Sequence, residues 1–211
     1  MDSVPVLGDV EIRVLGVLIE KALTSPSAYP MTVNSIVLGA NQLQNRDPVV
    51  GYSESEVSHA LRNMEHKGLV AQAATTMGAR SVRFEHRVLE KFGWDRREQA
   101  VMTELMLRGR QTAGELRTRA SRMTSLPELQ AVVGLLEALK THSPPFVEEL
   151  PREPGRSANR FRHLLSPEFA VTEQAAGPLT LEARVSRLEA EMVEMRSLMG
   201  TRGDSPKSST L

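Results

Sequence analysis

The 211-residue chain has no cysteine, one tryptophan, two tyrosines and five phenylalanines, and its formal charge sums to zero. Without cysteine there are no disulfides and no thiolate metal sites. With so few aromatics, any core is built from Leu, Val, Ala and Met, which suits packed helices better than a large β-sandwich. No apolar run approaches the ~20 residues of a bilayer span. Met1-Asp2-Ser3-Val4-Pro5 lacks the basic segment and apolar core of a signal peptide, so a cytoplasmic protein without a membrane partner is expected. Zero net charge gives no general attraction to nucleic acid, whose binding domains are usually visibly basic. Residues 1–91 carry 9 basic and 10 acidic side chains, residues 92–170 carry 12 and 10, and residues 171–211 carry 5 and 6. Only the middle segment leans positive, so a phosphate-facing surface has to come from clustering.

Helix signals are strong. Ile12, Leu15, Ile19 and Ala22 recur at helical spacing and predict a first helix over Asp9–Leu23. Thr24 to Pro30 interrupts it with two prolines. A second helix is expected over Thr32–Gln44, burying Val33, Ile36, Val37, Ala40 and Leu43, with Asn34, Asn41 and Asn45 in a stripe on the opposite side. Ser53 and Glu56 have capping-box spacing, and Val57, Ala60, Leu61 and Met64 continue a third helix that Gly68 can end in the left-handed conformation. A β-prone run follows from Leu69 to about Thr75. Met77-Gly78-Ala79 can turn it, and Ser81 to Arg87 alternates, with Val82 and Phe84 on one face.

The same order returns downstream. Asp95 and Glu98 cap a helix with Val101, Leu105 and Met106 buried. Thr112 and Glu115 box a short helix over Ala113–Ser121. Ser125, Pro127 and Glu128 start a third helix, with Val132, Leu135, Leu136 and Leu139 apolar. Phe146-Val147 opens a hairpin with a long tip over 151–158 that returns over Asn159–Leu164. Val14-Leu15 matches Val101-Met102 at an offset of 87, whereas Leu61 matches Leu136 at 75, which places about twelve extra residues mostly around Asn41 to Tyr52. Helix, helix, helix, hairpin in two copies predicts an α+β, mainly α fold of two tandem winged helix-turn-helix domains. The expected domains are residues 1–91 and 92–170. A linker and heptad helix over 171–200 and a disordered tail over 201–211 follow them. Leu181, Val185, Leu188, Met192 and Met195 step by 4, 3, 4 and 3, a short coiled-coil seam that can support a homodimer.

Several strings resemble the YceH-like family of bacterial proteins: Tyr29-Pro30-Met31-Thr32-Val33-Asn34, residues 41–49 (Asn-Gln-Leu-Gln-Asn-Arg-Asp-Pro-Val), residues 107–117 (Leu-Arg-Gly-Arg-Gln-Thr-Ala-Gly-Glu-Leu-Arg), Arg152-Glu153-Pro154-Gly155-Arg156 and Arg160-Phe161-Arg162-His163-Leu164. Leu43 and Ala113 stand where the family pattern has Lys and Pro. The resemblance spans about residues 9–200. It implies two tandem winged helices and no particular biochemical role.

Candidate chemistry is confined to a few places. Glu56 and His59 form a single Glu-x-x-His, short of the paired motifs of a di-iron site. No histidine pair has zinc-protease spacing, and neither a phosphate-cradling glycine loop nor a nucleophile elbow is present. An enzyme, a cofactor and a metal are therefore not expected. The third helices begin with carboxylates, which repel phosphate, so major-groove contact by them alone would be weak. Arginine, whose planar fork suits phosphate oxygens, is concentrated elsewhere: Arg108, Arg110, Arg117, Arg119 and Arg122, then Arg156, Arg160 and Arg162 with the second hairpin, and Arg80 and Arg83 with the first. Asn34, Asn41, Gln42, Asn45 and Arg46 form an unusual polar loop that can reach bases or phosphates or close upon its own backbone. The expectation is a regulatory or architectural protein that binds double-stranded DNA. The alternative is a protein-interaction module with an unknown partner, which exposed Leu126 and Leu129 beside paired arginines would favour.

Overall fold

The structure is a computed structural model that describes residues 4–74 and 81–166. It is α+β and mainly helical, with one order of elements occurring twice. The first copy runs α1 (Asp9–Thr24), β1 (Met31–Thr32), α2 (Val33–Ala40), α3 (Glu54–His66), β2 (Val70–Gln72) and β3 (Arg83–His86). A short α4 (Val88–Phe92) leads into α5 (Arg96–Arg108), β4 (Gln111–Thr112), α6 (Ala113–Ala120), α7 (Leu129–Thr141), β5 (Val147–Glu149) and β6 (Arg160–His163). Each copy closes a three-stranded antiparallel sheet, in the orders β1-β3-β2 and β4-β6-β5, so the last strand of each copy lies in the middle. The registers match as well: Met31 lies opposite Phe84, and Gln111 opposite Phe161.

Local chemistry sets the helix starts. Ser53 with Glu56, Asp95 with Glu98, and Thr112 with Glu115 each form the reciprocal box, in which the cap oxygen accepts one free backbone N–H and the glutamate accepts another. The α3 helix stops where Gly68 takes φ +70°, open to glycine at little cost, and the chain passes directly into β2.

Four expectations change. The second helix ends at Ala40, with Asn41 as its cap, and Leu43 is 80% exposed beyond it. The stripe of Asn34, Asn41 and Asn45 therefore does not form. The third helix of the second copy begins at Leu129, after a Glu128 cap whose side chain makes no capping bond. Val82 lies outside β3 and is exposed, while Phe84 is buried. The extra residues of the first copy are also split: Asp9 corresponds to Arg96, Val33 to Ala113 and Glu54 to Leu129, offsets of 87, 80 and 75. More of the insertion thus precedes β1 than lies between α2 and α3. The two-residue strands β1 and β4 are too short to leave an alternating pattern and were not foreseen. The seam over Leu181, Val185, Leu188, Met192 and Met195 lies outside the described residues, as does Arg80.

The two copies share one apolar cluster. A surface helix normally buries a single stripe, but α1 is buried on all sides from Glu11 to Glu20, and α5 from Gln99 to Leu107. These two helices pack along each other, and α1 is flanked by α2 and α3 as well. Gly16 permits the close approach, because a Cβ there would stand 2.9 Å from Leu107 Cδ2. At the other end of the junction Trp94 meets Phe92 and Phe146, with ring centroids 4.6 and 5.1 Å away. The buried stretches of α1 and α5 also carry charge, and those charges need internal partners. Replacing Gly16 with leucine should force α1 and α5 apart and destabilise the protein by about 3 kcal/mol in urea unfolding. Gly134→Ala, where nothing lies within 4 Å of the new Cβ, should instead stabilise it by roughly 0.5–1 kcal/mol.

Candidate functional site

The polar loop after α2 closes on itself and then on the second copy. Asn41 Nδ2 donates to the Tyr52 carbonyl at 2.8 Å, and the Tyr52 N–H donates to Asn41 Oδ1 at 2.8 Å. This reciprocal pair draws the chain out of the helix at Asn41. Asn45 takes the left-handed conformation, φ 61°, and its side-chain oxygen accepts from Arg108 Nη2 of the second copy. Arg46 turns inward, donating from Nε and Nη2 to the Gly39 carbonyl at 3.0 and 2.8 Å. The Asp47 N–H then donates to the Leu107 carbonyl at 2.9 Å. Residues 41–49 and 107–117, far apart in sequence, are thus joined side to side. Of the loop's five candidates, Asn34 is exposed on α2 and Gln42 is half-buried, while Asn41, Asn45 and Arg46 serve closure.

Beneath the loop runs an alternating chain of charge. Arg46 Nη2 lies 2.7 Å from Glu20 Oε2, and Arg122 Nη2 lies 2.7 Å from Glu20 Oε1. The same Arg122 nitrogen is 2.8 Å from Glu104 Oε1, and Arg108 Nε is 3.3 Å from Glu104 Oε2. The order Arg46, Glu20, Arg122, Glu104, Arg108 crosses from α1 of one copy to α5 of the other. Burial pushes the Glu20 carboxyl up, but the hydrogen bond and charge of Arg46, joined by the charge of Arg122, hold it below the usual carboxylate range. Burial lowers Arg122, and the two glutamates outweigh that and raise it.

This arrangement sorts the candidate arginines. Arg108 and Arg122 belong to this chain of charge, half-buried and exposed respectively. Arg119 donates to Gln111 Oε1 at 2.7 Å and faces Glu115, and Arg162 donates to Glu148 at 2.7 Å. The remaining arginines are held less firmly. Arg110 and Arg152 are exposed, with no ion pair among the described residues. Arg117 and Arg160 donate only to the carbonyls of Pro127 and Arg110, at 3.3 and 3.5 Å, and Arg83 to that of Pro30 at 2.8 Å. Arg156 stands 3.6 Å from Glu153, with both side chains more than half exposed. Leu126 is buried at 3% exposure, whereas Leu129 is 48% exposed. His163 is buried beside Arg162, and its pKa falls to about 4 through burial first and that neighbouring charge second.

Sequence reasoning passed over Glu20, Glu104 and Arg13. Arg13 and Glu20 lie seven residues apart, hence on one face of α1, and that pairing of charges inside an apolar helix was the available signal.

The fold and junction define a mainly helical α+β protein with a duplicated unit and an internally neutralised joint. A family model described as "Protein of unknown function, DUF480" matches residues 7–156, and the chain belongs to that family. A UPF0502 protein of Geobacter sulfurreducens is 44% identical over 198 residues, 91% of this chain and 90% of the relative. Similar proteins of Dechloromonas aromatica and Mesorhizobium japonicum are 42% and 38% identical, covering 94% and 96% of this chain and 96% and 99% of their own. Of the strings that carry the YceH-like resemblance, those over 29–34, 41–49, 107–117 and 152–156 fall inside the matched segment and the one over 160–164 lies just beyond it. Among the described residues no helix is long and apolar enough to cross a membrane.

Glu20→Ala leaves Arg46 buried without its carboxylate and deprives Arg122 of one of two. It should cost about 3–5 kcal/mol in chemical denaturation. Lys21→Ala removes only a partly exposed contact at 3.6 Å and should change stability by less than about 1 kcal/mol.

Proposed function

We propose that each copy is a winged helix-turn-helix, with α3 and α7 in the recognition position and the β2–β3 and β5–β6 hairpins as wings. On this reading the protein binds double-stranded DNA in a regulatory or architectural role, through phosphate contacts of its second copy. The observation that carries it is the division of the arginines. The chain neutralises Arg108, Arg119, Arg122 and Arg162 internally but leaves Arg110, Arg117, Arg152 and Arg160 without an ion pair among the described residues, and Arg156 with only an exposed contact to Glu153 at 3.6 Å. Arg152 and Arg156 occupy the tip of the second hairpin, Arg160 stands at its return, and the Arg160 guanidinium reaches the Arg110 carbonyl. These four cations lie along one hairpin and its neighbouring strand, as backbone-tracking contacts require. The α3 helix adds exposed His59 and Arg62.

A second reading has one specific support. The outward positions of α7 include Gln130, Gly134 and Ala138, all exposed and without a cation, and they follow the exposed Leu129. Such a face suits a protein partner better than a phosphate backbone.

The two readings separate in a salt titration of binding to random-sequence duplex DNA. Binding should weaken linearly on a log–log plot, and Arg152→Ala/Arg156→Ala/Arg160→Ala should reduce the slope by roughly 2–3. An unchanged slope would remove these arginines from the contact, and absence of wild-type binding at low salt would leave the protein-partner reading.

A further inference from the structure

Between the copies lies a cavity of about 480 Å³ whose walls come from α1, the loop before α3, the end of α5 and β6. That volume falls within the ordinary range of small-molecule sites. Its charged lining is unlike the rest of the junction. Arg13 is 4% exposed, yet no carboxylate lies within ion-pair distance of it among the described residues. Its guanidinium donates to the Pro48 carbonyl at 2.7 Å and the Ala40 carbonyl at 3.5 Å. Those bonds use two of five N–H donors. Burial and the nearby Arg46 lower its pKa, while Tyr52 and Asp47, which line the same cavity, act in the opposite sense. Tyr52 also lines the cavity, and its hydroxyl has no hydrogen-bond partner among the described residues. Asp9, Asp47 and Arg110 are exposed at the same cavity, and none forms an ion pair among the described residues. Ile12, Leu105 and Met106 supply apolar wall.

We propose that this cavity binds a small zwitterion of the α-amino-acid class with an apolar side chain. The carboxylate accepts from the spare Arg13 donors and from the Tyr52 hydroxyl. The ammonium faces Asp47, whose closeness to Arg13 suits a ligand with opposite charges on neighbouring atoms. The side chain lies against Ile12, Leu105 and Met106. The lining carries Arg13, Arg110 and Arg162 beside Asp9 and Asp47, so a ligand with both signs suits it better than a simple cation, and the deaminated acid tests the simple anion. Because both copies supply walls, an occupied cavity also tightens the joint between them. This inference stands apart from DNA binding.

The test is thermal unfolding and calorimetry of the full chain with each of the common L-amino acids at millimolar concentration. For the best apolar amino acid, its deaminated acid and its decarboxylated amine are run as controls. At least one apolar amino acid should raise the melting temperature saturably, and neither control should match it. Tyr52→Phe, which keeps the ring, should weaken that binding about tenfold. Arg13→Gln should abolish it; should that variant fail to fold, Tyr52→Phe and the exposed Asp47→Asn, which should also weaken binding, still decide the matter. No response to any amino acid, an equal response to the deaminated acid, or binding untouched by both Tyr52→Phe and Asp47→Asn would overturn the proposal.

Discussion

Two glutamates, Glu20 and Glu104, sit inside the helices that form the centre of the protein, and each lies against at least one arginine brought from another element. Arg46, Arg122 and Arg108 supply the opposing charge from the loop after α2, from the end of α6 and from the end of α5. Buried ion pairs are a poor source of net stability, because desolvation offsets much of their attraction, but removal of one partner is severe. Such a chain of charge therefore acts mainly as a selector. Any other register of α1 against α5 would strand a carboxylate in the core. The close approach at Gly16, the inward turn of Arg46 and the backbone bond from Asp47 to Leu107 all follow the same register.

The joint also divides labour among the arginines. Those that face a glutamate across the two copies or across a hairpin are spent on structure, whereas those at the second hairpin's tip and return make weaker ion pairs or none among the described residues. Arg13 belongs to neither group. It is buried like the first kind but lacks a carboxylate like the second, and it lines the cavity at the junction. The proposed DNA contact uses exposed cations at one edge of the duplicated unit, and the proposed ligand uses the polar cavity at its joint.

Much of the fold was legible because it rests on local rules. The boxes at Ser53, Asp95 and Thr112 and the left-handed Gly68 are set by side chains within a few residues of one another, and each occurs where the spacing places it. The loop over 41–49 was not legible, because its conformation depends on distant groups: Tyr52 for Asn41, Arg108 for Asn45, Glu20 for Arg46. Periodicity continued the helix through Leu43, but the Asn41–Tyr52 pair ended it first. The arginine clusters were visible as composition. Which of them were neutralised was not, since Glu104 is eighteen residues from Arg122, Glu20 lies in the other copy and Glu148 is on the neighbouring strand to Arg162.

The most direct measurement follows denaturant unfolding by two signals at once. The single tryptophan, Trp94, packs between Phe92 and Phe146 at the entry to the second copy, and far-UV circular dichroism reports the helices of both copies. If the buried charges and the shared core bind the copies into one cooperative unit, the two transitions coincide with one midpoint and one slope. Two separated transitions, with Trp94 fluorescence lost while half of the helical signal survives, would contradict the joint as the organising constraint.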